Sequence, residues 1–262
     1  MIRAVVLWIV AAVVTFGAAA WQRETGPTYP VDGTVVLGGR EVSLHLERSH
    51  GGEGDQPVRL RAEDPAVSGE IEWRRFPTSD PLSVIPMRRE GAWLVAALPH
   101  QPPAGKLEYQ VKLARESERV MFPSRPAVTR FKGSVPLWIL APHILLMFVG
   151  MLVSNRAGLE AIVAGNQLRR LAYATLALLG AGGLLLGPLV QKAAFDAYWT
   201  GVPFGYDLTD NKTLIVAAAW GWAAWRLRGG RSARWEALAA ALLTLIVFAI
   251  PHSTWGSQLK WK

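Results

Sequence analysis

Apolar positions along the chain fall into two different patterns. Five long runs without alternation cover residues 4–21, 135–153, 171–190, 208–225 and 237–250. Between the first run and the second, apolar and polar positions alternate over short stretches. A helix needs about 20 apolar residues to cross the hydrocarbon core of a membrane. The long runs therefore predict five transmembrane helices, of which the last two span only if their polar ends reach the interface.

The first run follows Arg3 and has two interpretations. Its small residues Ala18-Ala19-Ala20 would suit cleavage of a secretory signal peptide. Its length of 18 residues also reaches that of a membrane anchor. The length criterion favours a retained anchor.

Residues 23–134 have the pattern of an antiparallel β domain. Period-two alternation between turn residues predicts strands at residues 34–37, 42–46, 58–61, 71–74, 93–98 and 107–113. We expect Trp73, Trp93 and Tyr109 to anchor the core. The loop Pro99–Gly105 and the following Tyr109 resemble the approach to strand F in immunoglobulin-like and fibronectin-type domains. This resemblance implies an immunoglobulin-like β-sandwich.

The distribution of charge predicts the orientation in the membrane. The net charge is +8, but residues 23–134 hold 16 Lys+Arg against 15 Asp+Glu, a difference of only +1. Much of the surplus lies between apolar runs, at Arg156, Arg169, Arg170, Arg226, Arg228, Arg231 and Arg234. Cytoplasmic loops of membrane proteins are enriched in such residues. We therefore expect a bacterial inner (plasma) membrane protein with a cytoplasmic amino terminus. Residues 23–134 and the carboxyl terminus would then be periplasmic.

These patterns together predict the fold class and the domains. The fold class is a membrane α-helical bundle of five transmembrane helices plus an all-β immunoglobulin-like sandwich. Residues 1–22 form an amino-terminal transmembrane anchor, residues 23–134 a periplasmic β-sandwich domain, and residues 135–262 a four-helix transmembrane domain. The arginines form no basic stripe and no known reader motif is present, so nucleic acid is not an expected partner.

Four residues are candidates for chemistry at the periplasmic end of the helices: His143, His252, Asp207 and Asp210. The chain has no cysteine, which excludes disulfides and thiolate metal sites. In one hypothesis His143 and His252 bind a b-type haem or a quinone head group. In another, the two histidines and a carboxylate from Asp207 or Asp210 hold a metal ion. The structural alternative is that Asp207 caps a helix, Asp210 favours its positive end and His143 bonds to a neighbouring helix.

Glycine spacing adds one packing signal. Gly183 and Gly187 form a small-xxx-small pair, which lets a second helix approach closely. Packing within this protein is the favoured interpretation, and a homodimer seam is the alternative.

Part of the chain is similar to a known group of proteins. The stretch Pro136–Ser257 resembles a family of uncharacterised bacterial inner-membrane proteins, through Pro142-His143-Ile144-Leu145, the Tyr198–Thr213 loop and Ile250-Pro251-His252-Ser253. The resemblance implies an inner-membrane location.

No catalytic motif accompanies the four candidate residues, since a nucleophile elbow, a P-loop and a dinucleotide fingerprint are all missing. We therefore expect a non-enzymatic membrane subunit or assembly factor that contacts the lipid bilayer and a protein partner in the membrane or periplasm. The alternative is a small redox protein that binds haem b, a quinone or a metal ion through His143 and His252. A transporter component is the third hypothesis, which the lack of internal repeats disfavours.

Overall fold

The two sequence patterns form two compact units in the computed structural model, which describes residues 2–251 and residue 259. One unit is helical and contains residues 2–26 and 135–251 of this range. The other contains residues 27–134 and consists mainly of β-strands. The amino-terminal helix belongs to the same unit as the carboxyl-terminal helices, although a 108-residue segment separates them in sequence.

Six α-helices form the helical unit: α1 (Ile2–Glu24), α2 (Leu137–Ile162), α3 (Leu168–Leu179), α4 (Gly187–Phe195), α5 (Leu208–Arg226) and α6 (Arg234–Ala249). A π-helical segment, Gly180–Leu186, joins α3 to α4 without a break, and a 3-10 turn, Arg228–Gly230, precedes α6. Helix α2 packs against α1, α3 and α6, and α5 packs against α3 and α6. Small side chains along α5 and α6 let these helices bury the large Trp220 completely.

The prediction of a five-span helical bundle is wrong. Three helical stretches of the described residues are long and apolar enough to cross a membrane: Ile2–Glu24, Leu137–Ile162 and Leu168–Phe195. Helix α6 has 16 residues, fewer than the roughly 20 that a span requires. Helix α5 has 19 residues, but Asp210 and Lys212 near its start lower its hydropathy. An apolar run in the sequence therefore does not guarantee a helix that meets both the length and the hydropathy criteria.

The β unit contains β1 (Val31–Leu37), β2 (Arg40–Leu46), β3 (Ser49–Gly51), β4 (Gln56–Arg61), β5 (Ser68–Arg75), β6 (Ser83–Pro86), β7 (Arg88–Glu90), β8 (Trp93–Leu98), β9 (Lys106–Arg115) and β10 (Glu118–Lys132). All six strands predicted from alternation lie within β1, β2, β4, β5, β8 and β9, so these predictions are confirmed. The strands β3, β6, β7 and β10 were not predicted.

The immunoglobulin-like sandwich is also wrong as a description of this unit. Its strands form three sheets, in the orders β1-β2, β3-β10-β9-β5-β6 and β4-β8-β7. Strand β10 pairs with β3 in parallel and with β9 in antiparallel orientation. Alternation in the sequence defines which residues face a core, but it does not define which strands pair, and this is why the sheet order was not predictable.

One hydrophobic core lies between the sheets. Of the three aromatic residues expected to anchor it, one is fully buried there. Tyr109 is 1% exposed, which confirms the prediction for this residue, and Trp73 packs against the core while only partly buried. Trp93 is 40% exposed, so its predicted core position is wrong. The neighbouring Leu94 takes the inward position on β8, and the guanidinium of Arg59 lies 5.2 Å from the Trp93 ring centre.

Candidate functional site

Helix α2 positions His143 in its second turn, directly after Pro142. The His143 Nδ1 atom lies 2.8 Å from the backbone carbonyl oxygen of Gly182 in the π-helical segment. Because a carbonyl oxygen can only accept, Nδ1 must carry the proton and donate. In the neutral imidazole, Nε2 then holds the lone pair and can accept a hydrogen bond or bind a ligand.

The glycines of the π-helical segment allow α2 to come this close. A side chain at Gly182 would lie 3.0 Å from the Leu146 Cβ atom and 3.1 Å from the Met147 sulfur. A side chain at Gly183 would lie 2.5 Å from a methyl group of Thr213 in α5. Gly182 and Gly183 thus serve packing within the helical unit, which agrees with the favoured interpretation for Gly183. A side chain at Gly187 would meet only ordinary contacts, at 3.7 Å or more.

Asp207 and Asp210, at the start of α5, both accept hydrogen bonds from backbone amides. Asp207 is the N-cap residue, and its carboxylate accepts from the Thr209 amide at 2.8 Å, so the predicted capping role is confirmed. One oxygen of Asp210 accepts from the amides of Thr200 and Gly201 at 2.6 and 3.0 Å.

Two side chains add to the Asp210 contacts. The same oxygen accepts from the Gln191 amide at 3.1 Å and from the Thr200 hydroxyl at 3.2 Å. Asp210 is only 6% exposed. This carboxylate therefore fixes the loop between α4 and α5, and Gln191 is a contributor that sequence reasoning missed because its partner lies on another helix.

The hypotheses that join His143 and His252 at a haem, or both histidines and a carboxylate at a metal ion, stay predictions because His252 lies outside the described residues. Within residues 2–251, no group of three or more His, Asp or Glu side chains is arranged to hold a metal ion. His143 bonds to the π-helical segment, whereas Asp207 and Asp210 bond to local backbone.

Lys212 was not among the predicted site residues, although it lies two residues after Asp210. Its side chain is 2% exposed. The ammonium nitrogen donates to the carbonyl oxygens of Ile250 at 2.7 Å and Pro251 at 3.3 Å, just beyond the end of α6. These contacts connect the start of α5 to the end of α6. From the sequence, Lys212 was expected only to be one of the polar residues at the interfacial end of its helix.

A cavity of about 430 Å³ lies between α1, α2, α4, α5 and α6. Most of its walls are apolar. The polar side chains that line it are His143, Lys212, Gln22, Thr209 and Thr213. We call this cavity the His143–Lys212 pocket. Its size and its few polar groups among apolar walls are typical of sites that bind small molecules.

Several arginines lie at the end of the helical unit that is farther from the His143–Lys212 pocket. Arg3 donates to the Val163 carbonyl at 2.7 Å, and Arg234 donates to the Ile162 carbonyl at 3.3 Å. The start of α1, the end of α2 and the start of α6 therefore meet at this end. Arg226 forms an ion pair with Glu236 here, at 2.9 Å.

Arg156 differs from the other arginines that were counted as loop charges. It lies inside α2, where it is 2% exposed and forms an ion pair with Glu160 at 2.7 Å. Glu160 also accepts from the backbone amide of Gln167 at 3.0 Å, which ties the end of α2 to the start of α3. This pair is part of the protein interior and does not belong to a cytoplasmic loop.

Comparison with known proteins gives no relative from which a function could be transferred: no protein-family model matches the chain, and neither a curated protein nor a solved structure matches it.

Proposed function

We propose that this protein is a non-enzymatic integral membrane protein, an accessory subunit or assembly factor, that binds a lipid-soluble molecule between its helices. The His143–Lys212 pocket is the observation that carries this proposal. It combines about 430 Å³ of largely apolar space with a few polar groups from α1, α2 and α5. Such pockets between helices are common sites for small molecules.

Access to the pocket supports a lipid-soluble ligand. Ile144 and Phe148 line the pocket from α2 and are still 45% and 42% exposed on the surface of the helical unit. Helix α2 is one of the three candidate membrane spans. In a membrane, this side of α2 would face hydrocarbon, so a ligand would enter from the bilayer.

We further propose a bacterial inner-membrane location, with the arginine end of the helical unit in the cytoplasm. Arg3, Arg226 and Arg234 lie at that end, which agrees with the enrichment of positive charge on the cytoplasmic side. The β unit, inserted between α1 and α2, would then be periplasmic and available to a protein partner.

Reporter fusions test this orientation. A fusion after Gly133 should report the periplasm, whereas a fusion after Gly165 should report the cytoplasm. A cytoplasmic signal from residue 133 would overturn the proposed orientation.

Mass spectrometry of the full-length protein in mild detergent tests the binding function. We expect a bound, chloroform-extractable molecule that is lost when Phe148→Trp narrows the pocket. The matched control is Phe16→Trp, because Phe16 is 67% exposed on α1 and does not line the pocket. Equal retention in both variants, or no bound molecule in the unmodified protein, would contradict the proposal.

A redox function is the second candidate, and the geometry of His143 favours it. Histidines that bind metals or haem usually donate their other ring nitrogen to a carbonyl or carboxylate, and Nδ1 of His143 donates to Gly182 in this way. A haem would give a visible absorption spectrum that His143→Asn removes. The Asn amide can keep the bond to Gly182, so loss of the spectrum would report loss of Nε2 alone. A purified protein without visible absorption or bound quinone would reject this candidate.

A further inference from the structure

The polar side of the His143–Lys212 pocket carries a lysine that forms no ion pair with any residue that the structure describes. The Asp207 carboxylate attracts the Lys212 ammonium electrostatically without forming an ion pair with it. The close partners of its ammonium group are the carbonyl oxygens of Ile250 and Pro251. Burial of an ammonium ion is costly unless an opposite charge accompanies it.

The two carbonyl contacts favour the charged form of Lys212. Carbonyl oxygens are the negative ends of peptide dipoles, and they stabilise an ammonium more than a neutral amine. An ammonium has three N–H donors, of which the two carbonyls use two. One donor of Lys212, which lines the pocket, is therefore available to a ligand.

Gln22 in α1 supplies a second donor. Its side-chain amide donates one hydrogen to the Phe248 carbonyl at 2.6 Å, and the same NH₂ group has another. Gln22 and Lys212 line the same pocket from different helices. Two donors, one of them charged, form a suitable site for an anionic oxygen group.

The remaining walls fit an acyl chain. Leu140, Ile144, Met147, Phe148 and Met151 cover one side of the pocket from α2. The exposed edges of Ile144 and Phe148 give a chain a route to the surface of the helical unit.

We propose that the His143–Lys212 pocket binds a lipid with an anionic head group, carboxylate or phosphate, with the head at Lys212 and Gln22 and an acyl chain along α2. This inference rests on the proposed binding function and adds the charge of the ligand to it. The carboxylate would come from a fatty acid and the phosphate from an anionic phospholipid.

Direct binding measurements on the delipidated full-length protein test the charge. The probes are oleate and phosphatidylglycerol, with oleyl alcohol and phosphatidylcholine as matched probes whose head groups carry no net negative charge. We expect at least one anionic probe to bind about tenfold more tightly than its matched control. Preference for oleate alone assigns a fatty acid, and preference for phosphatidylglycerol alone assigns a phospholipid.

Variants at Lys212 connect the selectivity to this site. Lys212→Met should remove the preference for the anionic probe, while Lys212→Arg should keep it. Lys192→Met is the control, because Lys192 is partly exposed and pairs with Asp196 outside the pocket. If Lys212→Met does not fold, the selectivity of the unmodified protein and of Lys212→Arg still decides the question.

The outcomes separate the two proposals. Equal binding of charged and uncharged probes, blocked by Phe148→Trp, would overturn the anionic head group and leave the binding function standing. Selectivity that survives Lys212→Met would also overturn this inference. Failure of every probe to bind would count against the binding function itself.

Discussion

A buried hydrogen-bond network in the β unit gives a quantitative test of how this unit is held together. The backbone carbonyl of Glu47 accepts from the Tyr109 hydroxyl at 2.7 Å and from the Gln56 amide at 3.0 Å. The Gln56 side-chain oxygen in turn accepts from the Thr129 hydroxyl at 2.7 Å. These three side chains are at most 1% exposed. The network connects β4, β9 and β10, which belong to two different sheets.

The geometry predicts how much each bond contributes. Tyr109→Phe should lower the free energy of unfolding by about 1 kcal/mol, because the Glu47 carbonyl keeps its bond from Gln56. In a Gln56→Met background the same substitution would leave that carbonyl without either donor. The cost should then rise to roughly 1–3 kcal/mol, the range for a polar group that loses its last partner. We therefore expect the two substitutions to be coupled.

Urea denaturation of a fragment covering residues 27–134, followed by circular dichroism, measures the coupling. The fragment matches the β unit, and we expect it to fold with a β-type spectrum. The four free energies of the double-mutant cycle should deviate from additivity by more than about 0.5 kcal/mol. Additivity within that limit would mean that water replaces the missing donors, which would refute the argument. A disordered or helical spectrum would reject an independently folded β unit.

Three further predictions follow from burial and hydrogen bonding. Burial raises the pKa of Tyr109, so the unfolded chain loses this proton first as the pH rises. The fragment should be fully stabilised by this group below about pH 10 and lose stability above it, and Tyr109→Phe should remove that pH dependence. Trp93→Ala should cost less than about 1 kcal/mol, because this residue is 40% exposed; a loss of 3 kcal/mol or more would restore Trp93 to the core. Asp210→Ala should lower the melting temperature of the full-length protein in detergent more than Asp210→Asn, since the side-chain oxygen of Asn can still accept from the amides of Thr200 and Gly201. Equal losses in the two variants would contradict the assigned role.

Local patterns in the sequence predicted local structure well. Alternation located six strands because period two directly reflects the two faces of a sheet. Strand β10 was missed because Pro123 and Pro126 interrupt its pattern, and its pairing with β9 shifts register between Phe122 and Ala127. A proline cannot donate to the ladder, so a strand that contains two of them resembles a loop in sequence.

In the candidate site, too, only the contacts between residues close in sequence could be predicted. The cap by Asp207 acts within two residues and follows from sequence spacing. The partners of His143 and Lys212 lie 39 and 38 residues away, on other elements. Sequence therefore identified His143 as a costly polar residue in an apolar helix but gave no partner. It also gave no reason to select Lys212, because lysines near helix ends are usually solvated.

The hydrogen-bonding capacity that remains on each group separates Asp210 from the two residues that we propose to contact a ligand. The buried Asp210 oxygen holds two amides and two side chains, which is sufficient to explain why a carboxylate is present. His143 and Lys212 differ, because their observed bonds leave a ring nitrogen and one ammonium hydrogen over, and both residues line the same pocket. Because burial of a charge is costly unless an opposite charge accompanies it, the proposed anionic ligand would offset the cost of burying the Lys212 ammonium.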